Sequence, residues 1–301
     1  MNYETILNKN HTDTFSILKY GFEHKVDELE KFMWTYKKDT PKNKTYSIGD
    51  KQKIETLLKV DTKELIKTSI PYSFAIQTTF TLQTPYYSSD DDELYIINNP
   101  CLKEKVFKVP MMRGSSWKGA LLNAGREIAK EDIQKLSNYF RIFGVGNEAF
   151  RGLMEKFTPI EMKLFLLLEG IAISTTDELE SIFAKYKKSK AQKGRAIFYP
   201  TYFDKYSIEL INPHNRKTKA GTNPIHYEVV PKGTKGELQI VYIPFDGVME
   251  SNATIEQEAK EDLEFLKLCI DKALSNGIGA KTKLGWGKGK ISEIKEFWSE
   301  R

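Results

Sequence analysis

Residues 277 to 290 read Gly-Ile-Gly-Ala-Lys-Thr-Lys-Leu-Gly-Trp-Gly-Lys-Gly-Lys, with five glycines and four lysines in fourteen positions. No helix or strand interior sustains that glycine density, because glycine loses more backbone freedom on ordering than any other residue. The segment must be a turn-rich connection between two elements. Before it, Glu256 to Leu274 carries Leu263, Leu266, Ile270 and Leu274 at helical spacing. After it, Lys290 to Phe297 reads as a strand. Glycines let another backbone come close, and Lys281, Lys283 and Lys288 can meet phosphates without reading bases. Trp286, set between two glycines, is a candidate to stack on an unpaired base. The plainer alternative is a helix C-cap at Gly277 followed by a solvated basic turn. It explains Gly277 but not the lysines recurring among the other glycines.

A second segment has related chemistry. Arg113-Gly114-Ser115-Ser116-Trp117-Lys118-Gly119 precedes a helix expected over about 120–130. Small residues there permit a tight turn, and a helix N-terminus favours an anion. Ser115, Ser116, Arg113 and Lys118 could add hydrogen bonds and charge. The spacing is not that of a nucleotide-binding P-loop, so nucleotide hydrolysis is not indicated. The competing reading makes Ser115 or Ser116 an ordinary N-cap.

The rest of the chain sets the frame. Phe74, Ile76, Phe80 and Leu82 alternate with polar residues over 73–82, the pattern of a half-buried strand. Further strands are expected at 105–109, 195–202, 207–211, 226–230 and 237–244, and a second helix at 131–142. Residues 1–70 read as a helical extension, with Phe15, Leu18, Phe22, Val26, Leu29 and Met33 at helical spacing. Residues 148–192 read as a helical insertion between 71–147 and 193–301, the two parts of the core. Strands and helices in this order point to an α+β fold of ferredoxin-like, RRM-like units, two of them, with helical insertions. The net charge of +5 over 301 residues is too small to announce nucleic-acid binding by itself, so local clustering of cations has to carry that case. Two distant cysteines, Cys101 and Cys269, and no long apolar run fit a cytoplasmic protein without a membrane span, a thiolate metal site or a resident cofactor.

A strand, then Gly-Ser-Ser-Trp-Lys-Gly opening a helix, then the distal Gly-Ile-Gly-Ala-Lys-Thr segment opening the last strand resembles the RAMP superfamily of CRISPR-associated RNA-binding proteins. Phe143-Gly144 and Lys193-Gly194-Arg195-Ala196 look like two further landmarks of that family. The likeness runs from about residue 73 to 297. It departs at Val109-Pro110-Met111-Met112-Arg113-Gly114, where extra residues separate the proline from the glycine. What the resemblance implies is a guide-RNA-binding subunit of a type III effector ribonucleoprotein in antiviral defence, in contact with other effector subunits and target RNA. The stretch from Ile211 to Arg216 slightly resembles the capping subunit of Cmr-type complexes. Arg195 and Arg216 join the backbone-contact set as second-line candidates.

Three alternatives accompany pure binding. The acidic triplet Asp90, Asp91 and Asp92 follows the first core strand, where the family's target-cleaving subunits carry an aspartate, and a carboxylate there could hold Mg2+ against a scissile phosphate. The plain reading of the triplet is a solvated loop. A histidine, with His214 in a basic loop the foremost, could serve metal-free guide processing. Last, a scaffold touching only protein would leave the two glycine segments without an RNA role.

Overall fold

The computed structural model describes residues 45–47, 58–90, 99–144, 193–214, 224–246 and 252–300, with Thr158, Ile160, Glu161, Lys163, Leu167 and Gly221 as separate positions. In chain order the elements are β1 (Tyr46–Ser47), α1 (Thr62–Lys67), β2 (Phe74–Leu82), β3 (Met111–Met112), α2 (Gly114–Glu131), a 3-10 turn (Ile133–Lys135) and α3 (Leu136–Phe143). Then come β4 (Ala196–Phe198), β5 (Thr201–Tyr202), β6 (Lys205–Ile211), β7 (Ile225–Val229), β8 (Lys235–Tyr242), α4 (Asn252–Asn276), a 3-10 turn (Thr282–Leu284) and β9 (Gly289–Trp298).

The central sheet has the order β4-β8-β2-β9, and every neighbouring pair is antiparallel. Hence β2 and β4 are parallel with β8 between them, and β8 and β9 are parallel with β2 between them. Two interleaved split β-α-β crossovers, through α2–α3 and through α4, make one complete β-α-β-β-α-β unit of ferredoxin-like topology. Strand β2 comes from residues 71–147 while β4, β8 and β9 come from 193–301, so both stretches share one sheet. The remaining strands among the described residues form a three-stranded sheet, β1-β6-β7, and a two-stranded one, β3-β5.

Alternation along β2 decides the layers. Phe74, Ile76, Phe80 and Leu82 are buried in the main core with Trp117 and Leu121 of α2, Tyr139 and Phe143 of α3, and Leu263, Leu266, Ile270 and Leu274 of α4. The opposite face begins with Ala75, which packs with Val241 and Ile66, so α1 covers that face at one end. Three polar contacts fasten the cover: Gln77 Nε2 donates to Thr62 Oγ1 at 3.0 Å, Gln239 Nε2 to Val60 O at 3.3 Å, and Lys59 meets Glu237 at 3.2 Å.

Several elements differ from expectation. Helix α2 starts at Gly114, six residues before the expected 120, because Gly114-Ser115-Ser116 forms its first turn. The strand expected at 105–109 is a hairpin tip instead, since Glu104 turns its carboxylate onto the following amides. The strand expected over 195–202 is split into β4 and β5 at Tyr199–Pro200, where proline has no N–H for the ladder. The helix expected at 131–142 begins as a 3-10 turn, with Asp132 Oδ1 accepting from the Gln134 amide at 3.0 Å. Most of 148–192 and of 1–70, where the helical readings fall, lies outside the described residues, and within the first stretch Ile160, Glu161, Lys163 and Leu167 are helical.

Candidate nucleic-acid interface

The glycine segment is a clamp on the end of β2. Its chain leaves α4 at Gly277, where φ is +103°, and the Gly277 amide donates to Ala273 O at 2.9 Å. Ile278 is fully buried and its N–H donates to Gly287 O at 3.0 Å, which closes the segment into a loop. The loop docks on residues 83–87 through Ala280 N–H to Tyr87 O at 2.7 Å, Gly287 N–H to Pro85 O at 2.7 Å and Gln83 N–H to Lys288 O at 2.7 Å. Gly279 and Gly287 are required by this docking. A β-carbon on Gly279 would lie 2.4 Å from Tyr87 O, one on Gly287 would lie 1.9 Å from Ile278 O, and both residues have positive φ. Close approach of the protein's own backbone thus explains these glycines.

The loop still presents its lysines. Lys281, Lys283 and Lys288 are exposed, and none forms an ion pair among the described residues. Lys281 sits in the left-handed region at φ +63°, an uncommon place for a side chain, with Nζ 5.2 Å from the Tyr227 ring centroid. Trp286 is half-buried, edge-on to Tyr87 and Tyr227 at 6.3 and 5.7 Å between ring centroids. That aromatic cluster holds the loop to β7, so the first duty of Trp286 is packing.

The start of α2 is built differently. Arg113 stands at the N-cap in an extended conformation with no side-chain cap, and the first turn carries no acidic residue. Ser115 and Ser116 lie inside the helix, so the N-cap reading of either serine is overturned. Gly114 is needed for contact: its β-carbon would meet Phe198 O at 2.1 Å. Trp117 locks the turn to the sheet, with Nε1 donating to Thr201 Oγ1 at 2.9 Å, and that hydroxyl donates on to Glu237 O at 2.7 Å. Arg113, Ser115 and Lys118 are exposed and Ser116 is partly so; neither cation is ion-paired among the described residues. A helix start without cap or carboxylate leaves its amides and dipole open to an anion.

Tyr86 joins the two segments. Its ring lies against Gly279, while its hydroxyl donates to Met111 O at 3.3 Å, two residues before Arg113. Burial pushes the Tyr86 phenol well above its ordinary range, so it stays a neutral donor.

Arg195 does not belong to this surface. Its side chain is 2% exposed and is held by Asp246 at 2.7 and 2.8 Å, by Glu258 at 2.6 Å and by the Tyr242 hydroxyl at 2.9 Å. Burial opposes its charge, but Asp246, Tyr242 and Glu258 outweigh that and raise its pKa. Its expected role as a phosphate contact is corrected to that of a buried structural cation. Beside it, Asp262 accepts from Arg141 at 2.8 Å, from Asn138 at 2.8 Å and from Tyr242 at 2.7 Å. Sequence reasoning missed this network; an arginine and an aspartate placed among core residues are its only local trace.

Arg216, Asp91 and Asp92 lie outside the described residues. Asp90 is partly exposed, and its amide donates to Pro100 O at 3.2 Å. Further along the chain, the buried Glu228 accepts from the Cys101 amide at 3.1 Å and pairs with Lys103. Among the described residues no group of three or more His, Cys, Asp or Glu side chains could hold a metal ion. His214 and His226 are both exposed. Among the same residues no helix is long and apolar enough to cross a membrane.

A β-α-β-β-α-β sheet with cationic segments at a helix start and at the last strand's entrance defines an α+β class of protein suited to polyanions. The chain belongs to the RAMP superfamily, whose family model matches residues 79–290. Its fold is similar to a chain in the cryo-EM structure of the type III-B Cmr-beta bound to cognate target RNA, at TM-score 0.55 and 13% identity, covering 99% of this chain and 88% of that one. Cmr6 from Pyrococcus furiosus aligns at TM-score 0.37 and 17% identity, over 73% of this chain and 99% of that one. No curated relative matches the sequence.

Proposed function

We propose that this protein is an RNA-binding subunit of a type III CRISPR effector complex, gripping guide RNA by its backbone. The observation that carries the reading is the coupling through Tyr86 of two cationic segments whose lysines and arginine are unpaired among the described residues. Arg113, Ser115, Ser116 and Lys118 face an anion at the start of α2, and Lys281, Lys283 and Lys288 line the docked loop. Lysines and helix amides meet phosphates without reading bases, so binding has weak sequence preference and steep salt dependence. Other effector subunits are its natural neighbours in such an assembly. Membership of the RAMP superfamily and the fold shared with a chain of a target-bound type III-B complex support this assignment.

The test is titration of the full chain with labelled guide RNA and complementary target RNA, with and without Mg2+. A shift without cleavage supports binding. Mg2+-dependent cleavage that disappears in an Asp90/Asp91/Asp92 alanine variant replaces it with target-RNA hydrolysis, and absence of any RNA affinity leaves the protein-contacting scaffold.

A further inference from the structure

Five residues of the glycine loop have positive φ. Four are glycines, Gly277, Gly279, Gly285 and Gly287, between +77° and +103°, and the fifth is Lys281 at +63°. The Lys281 backbone caps the 3-10 turn Thr282–Leu284, its carbonyl accepting from the Leu284 amide at 2.9 Å and from the Trp286 amide at 3.4 Å. A glycine would do the same without strain, because a β-carbon disfavours the left-handed region. The turn gains nothing from lysine. A strained position that carries a charged side chain points to a use for that side chain.

The Lys281 ammonium lies 5.2 Å from the centroid of the Tyr227 ring, within cation–π range. Tyr227 is buried on β7. Its ring is fixed edge-on by Tyr87 and Trp286, at 84° and 89°, with centroids 5.1 and 5.7 Å away. Lys281 is nevertheless exposed, so the ring meets part of the ammonium and leaves the rest to solvent. Among the described residues Lys283 and Lys288 have no such ring beneath them. An ammonium already held loses less rotamer freedom when it meets a phosphate than one that swings freely.

We propose that Tyr227 is a positioning residue for Lys281, and that this held ammonium is the dominant phosphate contact of the loop, ahead of Lys283 and Lys288. This rests on the RNA reading above and ranks the cations within its site.

The test is fluorescence anisotropy of a labelled single-stranded RNA titrated with the full chain. K281A should weaken binding about tenfold, and K283A or K288A only about threefold each. K281G should lose as much affinity as K281A while its urea midpoint stays at or above wild type, since the left-handed strain is gone. Y227F keeps the ring face and should bind like wild type. Pentafluorophenylalanine incorporated at position 227 keeps the ring but removes its attraction for a cation, and should weaken binding. In the K281A background the same replacement should have no further effect, because the contact it abolishes is already missing. Equal losses for K281A, K283A and K288A overturn the proposal, as does unchanged affinity with the fluorinated ring. An equal loss from the fluorinated ring with and without Lys281 overturns it too, and makes Tyr227 a support of the whole loop. These three outcomes leave the RNA reading standing. A wild-type chain with no affinity for RNA overturns that reading, and the ranking with it.

Discussion

Tyr86 packs so tightly on Gly279 that a β-carbon there would sit 2.7 Å from Tyr86 Cε2, and the same tyrosine's hydroxyl donates to Met111 O at 3.3 Å. One buried side chain thus ties the lysine loop to the strand that feeds the α2 start.

The glycines of the loop should separate by substitution. Gly287→Ala meets Ile278 O at 1.9 Å and keeps a φ of +77°, so a loss of about 2–4 kcal/mol is expected. Gly285→Ala has the same sign of φ but open space around it, and should lose only about 1 kcal/mol. Urea midpoints at constant m-value measure the difference.

Replacing Lys281, Lys283 and Lys288 together by alanine should leave the urea midpoint close to wild type, since all three are exposed. RNA affinity should fall, and the slope of log K against log salt should shrink by roughly 2, at about 0.7 for each single-strand phosphate that is no longer neutralised. Fluorescence anisotropy over a salt series reads both quantities.

Arg195→Met removes the guanidinium that pairs Asp246 and Glu258 and leaves Glu258 only its longer contact with Arg141 at 3.6 Å. The expected cost is about 3–5 kcal/mol of stability. In the fraction that stays folded, RNA affinity should be unchanged, and a selective loss of RNA binding with full stability would restore Arg195 to the phosphate-binding set.

Alkaline pH should destabilise the fold. Burial, with Glu228 adding to it, pushes the Cys101 thiol from 9.0 up to about 12, and burial raises Cys269 as well. A thiol whose folded pKa exceeds its unfolded one contributes stability that is whole below pH 9 and is lost as pH rises through the folded value. Each such group costs up to about 1.4 kcal/mol per pH unit in that window. Urea midpoints should stay flat from pH 7 to 9 in this respect and fall above it, and both thiols should resist thiol reagents until the chain unfolds.

Much of the architecture was legible in residue order. The alternation of Phe74, Ile76, Phe80 and Leu82 marked the central strand, and the spacing of Leu263, Leu266, Ile270 and Leu274 marked α4, because periodicity reports which face is buried. The site was legible only in part. Arg113, Lys118, Lys281, Lys283 and Lys288 are exposed as expected, but Arg195, an equally plausible cation by sequence, is enclosed by Asp246, Glu258 and Tyr242. The carboxylates that capture it lie about fifty and sixty residues away, and no local pattern announces a pairing over that distance.

Composition and periodicity alone therefore determined most strand and helix identities and the glycine-lysine segment, since these follow from backbone preference and local spacing, while the order of the motifs carried the family resemblance. Tertiary structure decided why the glycines are there and which cations face solvent. Gly287 must be bare because Ile278 O comes within 1.9 Å of where its β-carbon would be, and Gly114 because Phe198 O crosses the start of α2. Close approach and ion-pair capture are relations between distant parts of the chain, and only the packed fold brings those parts together.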